Sequence, residues 1–534
     1  MTATEEAPPA WPDGLLFWPP LQIGYQTDYI ARMYVMGSAM LAADLGTGKT
    51  VMALGVAGLA FEQQAIDHVL VVAEPNKIDA TEWPADVARF TRLGHAVYHG
   101  PKRKRLLDDL PQVIITTYET ARGDLAVFPP KGGRSRTLTP GPLGEALLGK
   151  RVLVVYDEVT KLGRRSSNLY KAHHWFLGQL RKAAPPGTTR VIGMSATPMD
   201  TDLENIFSEM RLVVPGAMPT VAEWERRVIK SRAPDGPPSY GRVTYDQQGK
   251  EWFRDLCAPW TLRKRKSDPD VRDHFPPFTE DFIRLRMRPD QYRLYQLLED
   301  LAWDKDTRTH VEVPGLNVLL RQLAGDPWAV LEAARTGSSP LAKMIAEELG
   351  AELEKCSSAK AEQLIHDADL IMSGGGKVLA FTFYGQTVLP SMVRRLGDRP
   401  VYTYHGGMTP AEREHQKLMF REHRGGAVMV ASDAGARGMN MPYISYVIEL
   451  DVGRTHATRQ QRAGRGHRLG KQDPLTFWTY VLESTIEGTN SMRSLLTRNA
   501  DQDFILGDDK DENFTTADDR RELFAQARPR KAAS

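Results

Sequence analysis

The chain has 534 residues, of which 41% are apolar and 25% charged, and its formal net charge is +2. That length exceeds what one hydrophobic core supports, so two large domains with smaller insertions are expected. The near-neutral balance argues neither for nor against a nucleic-acid partner, no apolar run approaches the ~20 residues that span a bilayer, and residues 1–9 lack the basic and apolar parts of a secretory signal.

Cys257 and Cys356 are the only cysteines. They lie too far apart for ligand spacing, which argues against a zinc site or a disulfide framework and fits a reducing cytoplasm with no membrane partner. Residues 1–20 are rich in proline and read as an extension. Gln26 follows, shortly before a glycine loop. Its amide has the donor and acceptor that N7 and N6 of adenine require, so it is the candidate adenine reader.

Leu41-Ala-Ala-Asp-Leu-Gly-Thr-Gly-Lys-Thr50 reads as a nucleotide-phosphate loop, with Ala43 where the general pattern has its first glycine. Gly46, Thr47 and Gly48 supply a tight turn whose N–H groups point at phosphate oxygens. Lys49 reaches the β- and γ-phosphates of ATP, and Thr50 offers its hydroxyl to Mg²⁺. Val51, Met52 and Leu54 then open a helix whose positive end faces the anion. A glycine turn before an ordinary helix has a similar local pattern; the motifs downstream favour the nucleotide reading.

Short β-rich apolar runs follow at 68–73, 112–118, 152–158 and 190–198, alternating with helical stretches, which predicts a mainly parallel sheet covered on both faces. Val152-Leu-Val-Val-Tyr-Asp-Glu158 ends in two acids at the strand end where such sheets place ligand chemistry. Asp157 suits an Mg²⁺ contact and Glu158 suits orienting or deprotonating an attacking water. Paired acids after a strand are often a turn or a cap; the preceding phosphate loop favours chemistry. Ser195 and Thr197 end the next run and are placed to couple the nucleotide site to a second lobe.

Residues 200–270 and 289–370 read as mainly helical. A second set of apolar runs at 377–383, 400–408, 427–433, 446–451 and 475–482 repeats the first architecture without a phosphate loop. Gln461-Arg-Ala-Gly-Arg-Gly-His-Arg468 sets Arg465 and Arg468 at helical spacing, where guanidinium groups suit a transferring phosphoryl group. Basic clusters at 102–105, 161–165, 263–266 and 284–293 each read as solvated surface. Their closeness to the motifs raises the expectation of phosphate-backbone contact. The tail from 501 is polar and acidic and is expected to be partly disordered.

The ordered series Gln26, Ala43 to Thr50, Asp157 to Thr160, Ser195 to Thr197, Ser432 to Asn440 and Gln461 to Arg468 resembles the motifs of superfamily 2 helicases, and within them the Swi/Snf-type DNA-dependent ATPases. Pro259-Trp-Thr-Leu-Arg-Lys-Arg-Lys266, Gln291-Tyr-Arg-Leu-Tyr295, His467-Arg-Leu-Gly470 and Ser484-Thr-Ile-Glu487 carry the closer similarity. The resemblance implies an α/β chain of two tandem RecA-like parallel-sheet lobes with short helical insertions. The expected division is an extension (1–20), lobe 1 (21–215), helical insertions and linker (216–345), lobe 2 (346–500) and a charged tail (501–534).

It further implies ATP and Mg²⁺ as cofactors, with Lys49, Thr50 and Asp157 holding phosphates and metal, and Glu158 activating water. Arg465 and Arg468 are then arginine fingers, Gly438 and Asn440 touch both nucleotide and DNA, and Ser195, Thr197 and Gln461 couple hydrolysis to lobe movement. Departures are Thr160 in the acidic box, Arg454-Thr-His456 in place of Trp-Asn-Pro, and Gly464 where the family often has Asp. They leave the subfamily, and DNA over RNA, open.

The expected activity is an ATP-driven motor moving on DNA, duplex or branched, through phosphate contacts, with Lys77, Thr116, His405 and Ser432 as candidate contacts. The alternatives are a fork or RNA helicase, a nucleotide-gated scaffold, and a motor subunit of a restriction or defence complex with an unknown protein partner. The absence of recognisable reader modules favours a compact motor of a bacterium or its phage.

Overall fold

The computed structural model describes residues 16–17 and 24–488, apart from 79, 81, 131–136, 197–202, 233–242, 302, 305–308, 311–312, 338, 434–438, 440, 442, 453–455, 468–470 and 472. Most of the N-terminal extension, the tail 501–534 and the site candidates Thr197, Gly438, Asn440 and Arg468 therefore lie outside the described residues. The chain divides into two compact units, one through Asp273 and one from His274 onward.

The first unit is built on seven parallel strands: β1 (Ala39–Ala43), β2 (His68–Ala73), β3 (His95–Val97), β4 (Val113–Thr117), β5 (Val152–Asp157), β6 (Arg190–Ser195) and β7 (Thr261–Lys264), in the spatial order β7-β1-β6-β5-β2-β4-β3. Strands β1, β4 and β5 are buried along their whole length, as a parallel sheet covered on both faces demands. This order brings the carboxyl ends of β1, β6 and β5 side by side. The phosphate loop, Ser195 and the Asp157–Glu158 pair are thus neighbours by topology, although more than a hundred residues separate the loop from the acids. Helices α1 (Gly24–Met36), α2 (Lys49–Glu62) and α3 (Trp83–Phe90) stand around these strand ends.

The second unit holds six parallel strands: β8 (Phe278–Leu285), β9 (Lys377–Thr382), β10 (Val401–Tyr404), β11 (Ala427–Ser432), β12 (Tyr446–Glu449) and β13 (Leu475–Leu482), ordered β8-β13-β12-β9-β11-β10. The carboxyl ends of β9, β11 and β10 are adjacent and carry Phe383, Ser432 and His405. Leu316–Gly325, Trp328–Arg335 and Pro340–Lys355 are helices that share an apolar cluster with Leu294, Tyr295 and Leu482.

The stretch 216–345, expected to hold insertions and a linker, contributes an edge strand to each sheet. Leu262 of β7 pairs in register with Leu41, and Phe278–Leu285 runs in register with Leu475–Leu482. The charged sequences Arg263-Lys264-Arg265-Lys266 and Thr279-Glu280-Asp281 conceal these strands, because an edge strand needs apolar contact on only part of its surface.

Helices Val221–Val228 and Gln247–Cys257 pack onto the first unit through Trp224, which stacks on Phe207 with centroids 4.6 Å apart and meets Phe253 edge-on at 5.6 Å. Among the described residues no helix is long and apolar enough to cross a membrane. Trp224 is fully buried, so Trp224→Ala should destabilise the first unit by about 3–5 kcal/mol, with Trp224→Phe milder. Thermal unfolding followed by circular dichroism measures both, and an unchanged midpoint in Trp224→Ala would contradict the packing described.

Candidate functional site

Asp44 leaves β1 and the chain turns through two left-handed glycines, Gly46 (φ 84°) and Gly48 (φ 90°), before α2 begins at Lys49. No side chain caps α2, so the N–H groups of its first turn are left to an external acceptor. The turn is packed from below by α1. Gln26 donates its amide to the Thr47 carbonyl at 3.1 Å, and the Tyr25 hydroxyl donates to the same oxygen. A Cβ on Gly48 would sit 2.3 Å from Gln26 Nε2, so the loop closes over Gln26 only with glycine there. Thr47 is buried and donates its hydroxyl to the Asp44 carbonyl at 2.7 Å, while Thr50 is half-buried at the start of α2.

The Lys49 ammonium is buried and donates to the Ala43 and Asp44 carbonyls at 2.7 and 3.3 Å. Burial lowers its pKa, opposed by the charges of Glu158, Asp157 and Asp44. Asp44 is in turn fastened by Arg263 of β7, 2.9 Å away, and by the Lys266 N–H at 3.0 Å. Burial alone would raise the Asp44 pKa, but Arg263 and that N–H hold it below the usual carboxylate range. The basic run 263–266, expected to face solvent or a nucleic-acid backbone, thus braces the phosphate loop through Arg263.

Asp157 ends β5, and one of its carboxylate oxygens accepts from the Trp83 indole N–H at 2.9 Å. Glu158 follows in the left-handed region (φ 61°), sparsely populated by residues other than glycine, so the backbone there carries strain. The Tyr118 hydroxyl lies 2.9 Å from the Asp157 carbonyl and 3.1 Å from that of Glu158, fixing the turn. Ser195 Oγ donates to Glu158 at 3.4 Å. Burial raises the Glu158 pKa, with Lys49 opposing and Asp157 adding to the rise. Asp86 on α3 is pushed up to about 6 by burial and by Glu82. Trp83, Tyr118, Asp44 and Arg263 carried no role in the motif reading, since a lone aromatic or ion pair has no sequence signature.

The structure therefore assembles Gln26, Gly46, Thr47, Gly48, Lys49, Thr50, Asp157, Glu158 and Ser195 in one place. Thr116 is corrected: it points into the sheet, is fully buried and donates its hydroxyl to the Tyr98 carbonyl at 2.8 Å, so no phosphate reaches it. Lys77 pairs with Glu82 at 2.9 Å, and its charge acts on Lys49 and Glu158, which sets it beside the phosphate loop.

In the second unit, His405 and Ser432 line one cleft of about 1620 Å³ with Phe383, Tyr384 and Gly385. Ser432 is almost wholly buried at its floor, and a Cβ on Gly385 would press to 2.8 Å from the Ser432 Cβ. Gln461 and Arg462 lie on the helix His456–Ala463. Arg465 follows it, buried, with a guanidinium nitrogen 3.3 Å from the Met439 carbonyl.

Residues 27–323 match the SNF2-related domain. The chain belongs to the SNF2-related family. Residues 360–470 of this SNF2-family chain also match the helicase conserved C-terminal domain, and the protein is a nucleic-acid-dependent ATPase of the helicase type. It is 22% identical to the "uncharacterized ATP-dependent helicase YqhH" of Bacillus subtilis, covering 84% of this chain and 73% of that protein. It is 23% identical to the "DNA excision repair protein ERCC-6-like" of Bos taurus, covering 87% of this chain but only 40% of that protein. The Pyrococcus furiosus Hef helicase domain shares the fold, with a TM-score of 0.51 at 15% identity over 90% of this chain and 99% of that one.

Two outcomes follow for this candidate site of the SNF2-family chain. Gly48→Ala forces a left-handed backbone on alanine and drives its Cβ into Gln26, so a fluorescent nucleotide titration should show affinity reduced at least about tenfold in a folded protein. Asp86 has a folded pKa above its unfolded one; the stability this gives is fully present below pH ~4 and lost as pH rises through about 6. Asp86→Asn should then raise the unfolding midpoint at pH 8 and leave it nearly unchanged at pH 4. An equal effect at both pH values would contradict the burial argument.

Proposed function

We propose that this SNF2-family ATPase is a motor that couples hydrolysis of ATP to movement along DNA, duplex in preference to single strands. The observation that carries the reading is the meeting of the uncapped glycine loop, buried Lys49 and the Asp157–Glu158 pair at the carboxyl ends of β1 and β5, with β6 between them. Phosphate is the ligand that such a set fits: exposed N–H groups, a buried cation, and acids kept apart from the loop by that cation.

The donor set also fits Mg²⁺ brought in with the nucleotide. Among the described residues no group of three or more metal-ligating side chains forms a cage, and Mg²⁺ characteristically binds through one or two carboxylates plus substrate phosphates. Thr50 and Asp157 would hold it, and it would neutralise charge on the phosphates. Trp83 keeps the Asp157 carboxylate oriented for that contact.

In this mechanism Gln26 reads adenine once a nucleotide draws its amide away from Thr47, and the loop N–H groups and Lys49 hold the phosphates. Glu158 orients a water and takes its proton as the water oxygen bonds to the γ-phosphorus. The bond to the β,γ-bridging oxygen breaks, giving ADP and inorganic phosphate. Arg465 and Arg468 of the second unit stabilise the charge on the transferring group, and Ser195, Thr197 and Gln461 relay hydrolysis into movement. His405, Ser432, Gly438 and Asn440 belong to the nucleic-acid side, where grip through phosphates makes binding indifferent to sequence and sensitive to salt.

Steady-state hydrolysis with no nucleic acid, blunt duplex DNA, single-stranded DNA, forked DNA or RNA tests the proposal. Stimulation mainly by duplex DNA supports it, and displacement of a triplex strand then measures translocation. Stimulation mainly by single strands, forks or RNA would replace it with the strand-separating reading.

Glu158→Gln should lower kcat by roughly 10²–10⁴-fold while nucleotide still binds. Because the base acts only when ionised and its pKa is raised, kcat of the unmodified protein should fall on acidification at a pH above the ordinary glutamate range. An acid limb at the ordinary value would contradict the raised Glu158 pKa.

A further inference from the structure

Asp451 stands just beyond β12 and is nearly fully buried. One of its carboxylate oxygens accepts from the Thr382 hydroxyl at 2.7 Å and the Phe383 N–H at 2.8 Å; the other accepts from Arg462 at 3.2 Å. The Asp451 carbonyl accepts from the same guanidinium at 3.0 Å. Thr382 Oγ1 also takes the Tyr384 N–H at 3.1 Å, so the turn that presents Phe383, Tyr384 and Gly385 to the cleft is tied to Asp451. Arg462 uses its remaining donors on Asp433, with two bonds of 2.7 Å, and on Glu449 at 2.7 Å. Asp433 directly follows Ser432 of the cleft floor.

One guanidinium therefore holds Asp433, next to the cleft-lining Ser432, directly and the cleft-lining turn 383–385 through Asp451, and it sits on the helix that leads three residues later to Arg465. Charge-assisted, two-pronged bonds of this kind fix orientation as well as distance. Burial away from water leaves none of the partners a cheap alternative, so a shift of either cleft segment must be answered by Arg462.

We propose that Asp451 and Arg462 form the linkage through which occupancy of the second-unit cleft sets the position of Arg465. Both are positioning residues: the guanidinium donors of Arg462 are spent on Asp433, Glu449 and Asp451. The inference rests on the reading above that hydrolysis responds to nucleic acid.

The measurement is the ratio of ATP hydrolysis with saturating blunt duplex DNA to hydrolysis without it, alongside DNA affinity and the unfolding midpoint. The variants are Asp451→Asn, the near-isosteric Thr382→Val, and the two combined. The expected result is a stimulation ratio reduced about fivefold or more in Asp451→Asn, a smaller reduction in Thr382→Val, and a double variant no worse than Asp451→Asn, since both cut one chain of contacts. DNA-free hydrolysis and DNA affinity should hold. Unchanged ratios, equal loss of basal and stimulated rates, or additive effects would each overturn the linkage. Should Asp451→Asn fail to fold, Thr382→Val alone decides, by reducing the ratio or leaving it intact. A wild-type protein that no nucleic acid stimulates would instead overturn the functional reading itself.

Discussion

Lys49 is a cation held out of water beneath a glycine turn, and the candidate site of the first unit is arranged around that constraint. Burial disfavours its charge, so opposite charges must stand nearby without closing onto it. Asp157 and Glu158 do so from the end of β5, one strand removed from β1. Each is restrained by a group that no phosphate-loop motif names: Trp83 on the Asp157 carboxylate, Tyr118 on the carbonyls of both, Ser195 on Glu158. Asp44, the residue closest to the loop in sequence, is taken up by Arg263. The acids therefore leave the loop's N–H groups for an incoming anion.

The second unit meets the same problem, buried cations among acids, with two arginines in place of one lysine. Four buried or half-buried acids, Glu280, Asp433, Glu449 and Asp451, surround two buried arginines, Arg459 and Arg462. Breaking such a set by removing one partner is strongly destabilising, because it strands a buried charge. Its members belong to β8, to the ends of β11 and β12 and to the helix His456–Ala463, so it fastens an edge strand, two central strands and the arginine-bearing helix. Lys360 adds a separate buried tie to Glu487 and the Leu450 carbonyl, each at 2.5 Å. That gives the Thr-Ile-Glu ending of the family motif a structural task.

Much of this was legible in the chain. Continuous apolar runs named most central strands of both sheets, since a strand buried on both faces has no choice but to be apolar. The phosphate loop and acidic pair were legible because phosphate chemistry needs glycine, lysine and acids at fixed local offsets. Edge strands β7 and β8 were not, because an edge tolerates charge. Thr116 was misjudged for a related reason: a hydroxyl at a strand end looks the same in sequence whether it faces a ligand or a neighbouring carbonyl.

The sequence by itself determined what is local: which apolar runs become central strands, where a glycine loop turns, and which residues are candidates to hold phosphate and activate water. Only the tertiary structure decided which distant residues complete those segments. Arg263 reaches Asp44 across 219 positions and Trp83 reaches Asp157 across 74, distances that follow from strand order. Strand order depends on how whole sheets bury their two faces, a property of the packed chain that no short stretch of residues encodes.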